Sequence, residues 1–241
     1  MGLLISERLI VAADFDCQSR CELKQQVLRF ADSIADTGVI IKVNFALRAC
    51  GYDLIDELKS RGLKVFADLK LTDISATLQK DGYLLREAAP ELLTVMCANS
   101  QKALRALKGE LPYTEVLGVT VLTEFTEAEV DGIYKTSVED AVVQFARTAF
   151  TTNLDGLISA PKEVNHLRAI FGKKLTLNTP AIRPAWATVK GDDQNLKRSM
   201  TPVEAIAAGA DRLVVGRPIT GADKPLDAVM RTLEEIEKAT S

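Results

Sequence analysis

Eight short β-branched runs separated by amphipathic stretches constrain this chain more than any other feature. The runs are RLIVAAD (8–14), VIIKV (39–43), KVFADLK (64–70), LLTVMCA (92–98), EVLGVTVLT (115–123), GLISA (156–160), KLTLNTP (174–180) and RLVVGRP (212–218). Between them lie segments such as CELKQQVLRFADSIAD and SVEDAVVQFARTAFTTN, whose apolar residues recur at three- and four-residue spacing. LDAVMRTLEEIEKA gives the eighth run its helix. Strand then helix, repeated eight times, reads as parallel βα units. In 241 residues this fits a closed (β/α)8 TIM barrel better than an open doubly wound sheet. An open sheet would be expected to carry a glycine-rich dinucleotide fingerprint after its first strand, where this chain has VAADFDCQS. Length alone allows one large α/β domain or two small ones. No linker or composition shift divides the chain, so a single barrel domain over residues 1–241 is expected.

Hydrophobic residues make up 47% of the chain, enough to bury a sizeable core. The formal charge of −3 argues against a nucleic-acid partner but leaves room for a locally basic pocket. Cys17 and Cys21 have CxxxC spacing, yet no second pair follows and the lone histidine, His166, is far along the chain. No metal site is therefore expected. Cys97, inside an apolar run, reads as a small hydrophobe, and His166 as a surface or packing residue. No signal peptide opens the chain and no apolar run approaches about 18 residues, so a soluble, reducing, cytoplasmic setting without membrane contact is expected.

A barrel demands that active-site groups collect at the C-terminal ends of its strands. The segment VFADLKLTDISAT (65–77) meets that demand most sharply. Asp68 and Lys70, two apart on a strand, should share a face, and Lys42 from the neighbouring run should join them. Asp14 ends the first run. Asp73, beyond the third strand, could fold back over the site or reach a second subunit; its bland alternative is an N-cap for ISATLQKDGYLL. For Asp68 and Lys70 the bland alternative is a strand-end ion pair. Charges on a doubly buried strand are costly unless paired or functional. Alternating ammonium and carboxylate groups would form a fixed field containing a proton donor, suited to placing and protonating a developing carbanion.

A second group lies late in the chain. TPAIRP (179–184) leads into the polar loop ATVKGDDQNLKRSM, then TPVEAIAAGA and VVGRPIT (214–220). Loops after strands seven and eight of such barrels often bind phosphate. Gly216 permits close backbone approach, Arg217 offers a charged fork, and Arg183 and Gln194 lie in or beside a loop long enough to close over a ligand. The bland alternative for Arg217 is a rim salt bridge.

DLKLTDISAT resembles the DxKxxDIxxT signature of the orotidine 5′-phosphate decarboxylase family. VAAD resembles its first-strand aspartate motif and IKVN its second-strand lysine; VTVLT, TPAIRP, the DDQ of the long loop and VVGRPIT follow in the family's order over residues 10 to 220. The resemblance implies cofactor-independent decarboxylation of orotidine 5′-monophosphate to UMP, the last step of de novo pyrimidine synthesis. It implies a catalytic tetrad of Lys42, Asp68, Lys70 and Asp73, with Asp68 near the substrate carboxylate and Lys70 protonating C6. Asp73 would come from the partner subunit of a homodimer. Asp14, Lys42, Asp73 and Thr77 would contact the ribose and Thr123 the region of the base, while Arg183, Gln194, Gly216 and Arg217 would hold the phosphate. The chain departs from the pattern at Thr72 and Met96, where histidine is frequent, at Ser75-Ala76 in place of proline-asparagine, and at Ala181 in place of glycine. A magnesium-dependent sugar-phosphate decarboxylase or aldolase on the same barrel would need a second-strand carboxylate where this chain has Lys42. A non-catalytic nucleotide binder would have little reason to keep internal charges that constrain one another.

Overall fold

The computed structural model describes residues 2–187 and 199–240. Its strands are β1 (Leu9–Ala12), β2 (Ile40–Val43), β3 (Lys64–Leu71), β4 (Leu92–Met96), β5 (Glu115–Val119), β6 (Gly156–Ile158), β7 (Thr176–Thr179) and β8 (Arg212–Val215). All neighbouring pairs are parallel, and β1 pairs with both β2 and β8, which closes the barrel in sequence order. The expected (β/α)8 architecture is thus present.

Alternation along each strand explains why the runs are so apolar. Ile10, Ile40, Phe66, Leu92, Leu117 and Val214 fill the barrel interior. Their neighbours Val11, Ile41, Val65, Leu93, Val116 and Leu213 pack outward, in the main core under the helices. Both faces are buried, so each strand reads as continuous rather than alternating. Full burial of one such side chain contributes about 1.5–3 kcal/mol.

Side-chain caps start several helices. Ser19, Ser100, Thr126, Ser137 and Thr201 each accept a backbone N–H from the following first turn. Each such cap contributes about 1 kcal/mol. Two helices rather than one join β2 to β3 (Phe45–Cys50 and Asp53–Lys59) and β5 to β6 (Glu127–Tyr134 and Val138–Thr151). Among the described residues, no helix is long and apolar enough to cross a membrane.

The N-terminal end of the barrel is closed by a polar plug. Arg212 is buried and makes two bonds to Glu115, of 2.6 and 2.9 Å, with a third of 3.4 Å to the Asn178 side chain. Lys64 pairs with Glu7 nearby. These groups pair with one another at the end of the barrel opposite the strand C-termini, where catalytic chemistry is not expected in this fold; among the described residues Arg212 Nε has no hydrogen-bond partner.

The strands end earlier than the apolar runs. β1 stops at Ala12, two residues before Asp14, and β5 stops at Val119, which leaves Thr123 in the following turn rather than on the strand. Gly216 and Arg217 likewise lie beyond β8, with Arg217 opening the short helix Arg217–Thr220.

Candidate active site

Lys42, the third residue of β2, points into the barrel mouth and is only 9% exposed. Its ammonium lies 2.9 Å from Asp14 Oδ2 and 3.3 Å from Asp68 Oδ2. Asp68, 6% exposed, is held from the other side by Lys70, whose Nζ lies 2.7 Å from each carboxylate oxygen. The four groups therefore form one alternating chain, Asp14–Lys42–Asp68–Lys70. Burial is the largest influence on the Asp68 carboxyl and favours its neutral form. The charges of Lys42 and Lys70, with hydrogen bonds from Lys70 and Thr94, oppose it and hold the carboxyl below its usual range.

Asp68 and Lys70 meet, but strand alternation is not the reason. β3 keeps register with β4 as far as Ala67↔Leu93 and regains it at Leu71↔Val95, so four steps on β3 face two on β4. Inside this bulge Lys70 adopts φ 49°, in the left-handed region. The bulge re-aims the lysine so that its ammonium folds onto the residue two before it. The Arg48 guanidinium donates to the Leu69 carbonyl at 2.9 Å and holds the bulge from below.

Asp73 stands apart from this chain of charges. It is exposed, and its Oδ1 accepts the backbone N–H of Ile74 at 2.6 Å. The alternative N-cap role is absent: Ile74 occupies the cap position of the helix Ser75–Ala88 and makes no side-chain capping bond. Thr77 sits half-buried in the first turn of that helix.

Two residues on and after β4 escaped the sequence reading. The Thr94 hydroxyl is fully buried and bonds both Asp68 and the backbone of Lys70. Asn99, in the loop after β4, bonds the backbone of Leu71, Met96 and Asp73. The only signal was a threonine interrupting the apolar run LLTVMCA. Cys97 in the same run is buried, which pushes its thiol up to about 12, so it behaves as the small hydrophobe expected.

The second group opens on the same rim. An added Cβ at Gly216 would meet nothing nearer than Ala12 Cβ at 3.8 Å, and Ala12 pairs in register with Lys42. That is ordinary van der Waals contact, so among the described residues the backbone of Gly216 is uncrowded, one strand away from the charged chain. Arg217 is exposed beside it, and neither it nor Arg183 has an ion-pair partner among the described residues. Arg183 is placed by its backbone N–H, which donates to the Met200 carbonyl at 2.9 Å. Ala181 adopts φ 60°, a conformation that suits glycine better than alanine. Gln194 lies outside the described residues.

With this geometry in hand, comparison with known proteins decides the family. The family model described as "Orotidine 5'-phosphate decarboxylase / HUMPS family" matches residues 7–232. The chain belongs to that family. It is 40% identical to the orotidine 5′-phosphate decarboxylase of Rhodopseudomonas palustris (strain BisA53), over 98% of this chain and 97% of that protein. It is 39% identical to the enzyme of the same name from Afipia carboxidovorans, over 97% and 96% of the two chains. The crystal structure of orotidine 5′-phosphate decarboxylase from Lactobacillus acidophilus superposes with a TM-score of 0.80 at 27% identity, covering 95% of this chain and 99% of that one.

Proposed function

We propose that this chain decarboxylates orotidine 5′-monophosphate to UMP, without a metal or organic cofactor, in the pyrimidine biosynthetic route. The observation that carries the reading is the Asp14–Lys42–Asp68–Lys70 chain at the barrel mouth, within one strand of the uncrowded backbone at Gly216. Lys42, Asp68, Lys70 and Asp73 are the catalytic set. Asp68 faces the substrate carboxylate, and Lys70 delivers a proton to C6 as carbon dioxide leaves. Asp14, Lys42 and Thr77 take the ribose, Thr123 the region of the base, and Arg183, Gln194, Gly216 and Arg217 the phosphate.

The chemistry matches the difficulty. A vinyl carbanion needs stabilisation near the upper end of what enzymes achieve, roughly 20 kcal/mol. A preorganised field acting in a site closed to water supplies much of that without reorganising during the reaction. Binding energy from the distant phosphate can hold the substrate carboxylate against Asp68, a repulsion relieved as carbon dioxide departs.

The same proposal makes residues 1–241 one barrel domain working as a homodimer. Asp73 has no place in the charged chain of its own subunit, and Ile74 beside it is 70% exposed. An apolar side chain so placed suits a partner surface that would receive both. A cytoplasmic setting fits the four free cysteines.

Purified protein given orotidine 5′-monophosphate in EDTA should lose the substrate's ultraviolet absorbance and accumulate UMP. No turnover in EDTA, with turnover of a sugar phosphate once magnesium is added, would replace this reading. UMP binding without decarboxylation would reduce the protein to a nucleotide binder.

A further inference from the structure

Three of the four residues given the chemistry, Asp68, Lys70 and Asp73, ride on segment 68–73, a stretch whose pairing with β4 is irregular. β3 and β4 lose register there, Lys70 sits in the left-handed region, and Asp73 is exposed. Such a backbone persists only where its surroundings over-determine it. The support comes from two side chains of β4 and its loop. Thr94 Oγ1 donates to Asp68 Oδ1 at 2.9 Å and accepts the Lys70 backbone N–H at 2.9 Å. Asn99 Oδ1 accepts the Asp73 backbone N–H at 3.0 Å, while its Nδ2 donates to the Leu71 and Met96 carbonyls at 2.9 and 2.8 Å.

These bonds stand in for the ladder bonds lost at the bulge. Thr94 must donate and accept at once, which a hydroxyl does and no other group of its size can. Asn99 must do the same with a longer reach, which a carboxamide does. We infer that Thr94 and Asn99 are positioning residues of the active site, Thr94 fixing Asp68 and Lys70 against each other and Asn99 fixing the turn that presents Asp73. The inference rests on the decarboxylase reading for its effect on turnover, though not for its effect on the backbone.

Three variants test it. Thr94→Val keeps the shape and removes both bonds, Thr94→Ser keeps both bonds, and Asn99→Ala removes the turn contacts from a half-buried loop position. In Thr94→Val, kcat should fall on the order of 100-fold, the scale of a misplacement near 1 Å. UMP affinity should stay within about threefold, and Thr94→Ser should keep kcat within about threefold of wild type. The groups facing Asp68 are Lys42 from β2, Lys70 from its own strand and, through Lys42, Asp14. None changes in Thr94→Val, so a lost Thr94 bond should move the acid limb of the activity profile to higher pH. Amide exchange should quicken at Lys70 in Thr94→Val and at Asp73 in Asn99→Ala, with Lys70 still protected in Thr94→Ser.

Wild-type kcat in Thr94→Val, a Thr94→Ser variant as slow as Thr94→Val, or UMP affinity lost in step with kcat would overturn the assignment. Should Thr94→Val fail to fold, the Thr94→Ser and Asn99→Ala results decide: unchanged kcat and unchanged Asp73 exchange in Asn99→Ala would overturn it. Should the wild-type protein prove inactive on orotidine 5′-monophosphate, the decarboxylase reading falls. The exchange measurements would then still decide whether the two side chains hold the segment.

Discussion

At Asp68, burial and neighbouring charge pull in opposite directions, and charge wins. Its carboxyl is held below the unfolded value, so its pairing stabilises the fold above the ordinary carboxylate range, and that contribution is lost as pH falls through the folded value. Urea unfolding of wild type and Asp68→Asn at descending pH should show a stability difference that shrinks below about pH 4. A difference that stays constant or grows would mean the lysines do not hold the carboxylate as described. The sequence made Asp68, Lys70 and Lys42 legible because charges on a doubly buried strand demand an explanation. Thr94 was not legible, because a threonine is a good strand former and its hydroxyl leaves no periodic trace.

Among the elements, β3 shows where pattern reasoning reaches its limit. Two-residue alternation brought Asp68 and Lys70 to one face, and they do meet, but through a bulge that alternation cannot foresee. Strand ends drifted for a related reason: the run through 123 stays apolar after β5 stops at Val119, because the turn that follows is itself partly buried. The first of the two helices between β2 and β3 was hidden because Phe45–Cys50 is too short to show a period. Ala181 illustrates the converse, a departure visible in sequence whose cost only the backbone reveals. Its φ of 60° predicts that Ala181→Gly stabilises the protein by up to about 1 kcal/mol, read as a raised unfolding midpoint. A lowered midpoint would show that the alanine methyl is packed to advantage.

Across the whole molecule, the two ends of the barrel divide the work. Arg212, Glu115 and Asn178 close the N-terminal end with a hydrogen-bonded polar plug, while the opposite rim carries the Asp14–Lys42–Asp68–Lys70 chain. The eightfold repeat made this architecture readable, since burying both faces of every strand imprints on each run. The proposed homodimer has no such imprint; its argument rests on an exposed Ile74 beside an exposed Asp73. If Asp73 serves the other subunit, mixing and reassorting inactive Lys70→Ala and Asp73→Ala proteins should restore activity, to roughly one-quarter of wild-type sites in a two-fold dimer. No recovery would place Asp73 within its own subunit's site or outside the chemistry. The central claim, that the Lys70 ammonium supplies the proton inside a field set by Asp68 and Lys42, is tested most directly by Lys70→Ala assayed for turnover and UMP affinity together. Turnover should fall by at least about 10⁴-fold, the upper end of what a placed proton donor contributes, with UMP still bound. Turnover unchanged from wild type would contradict the account.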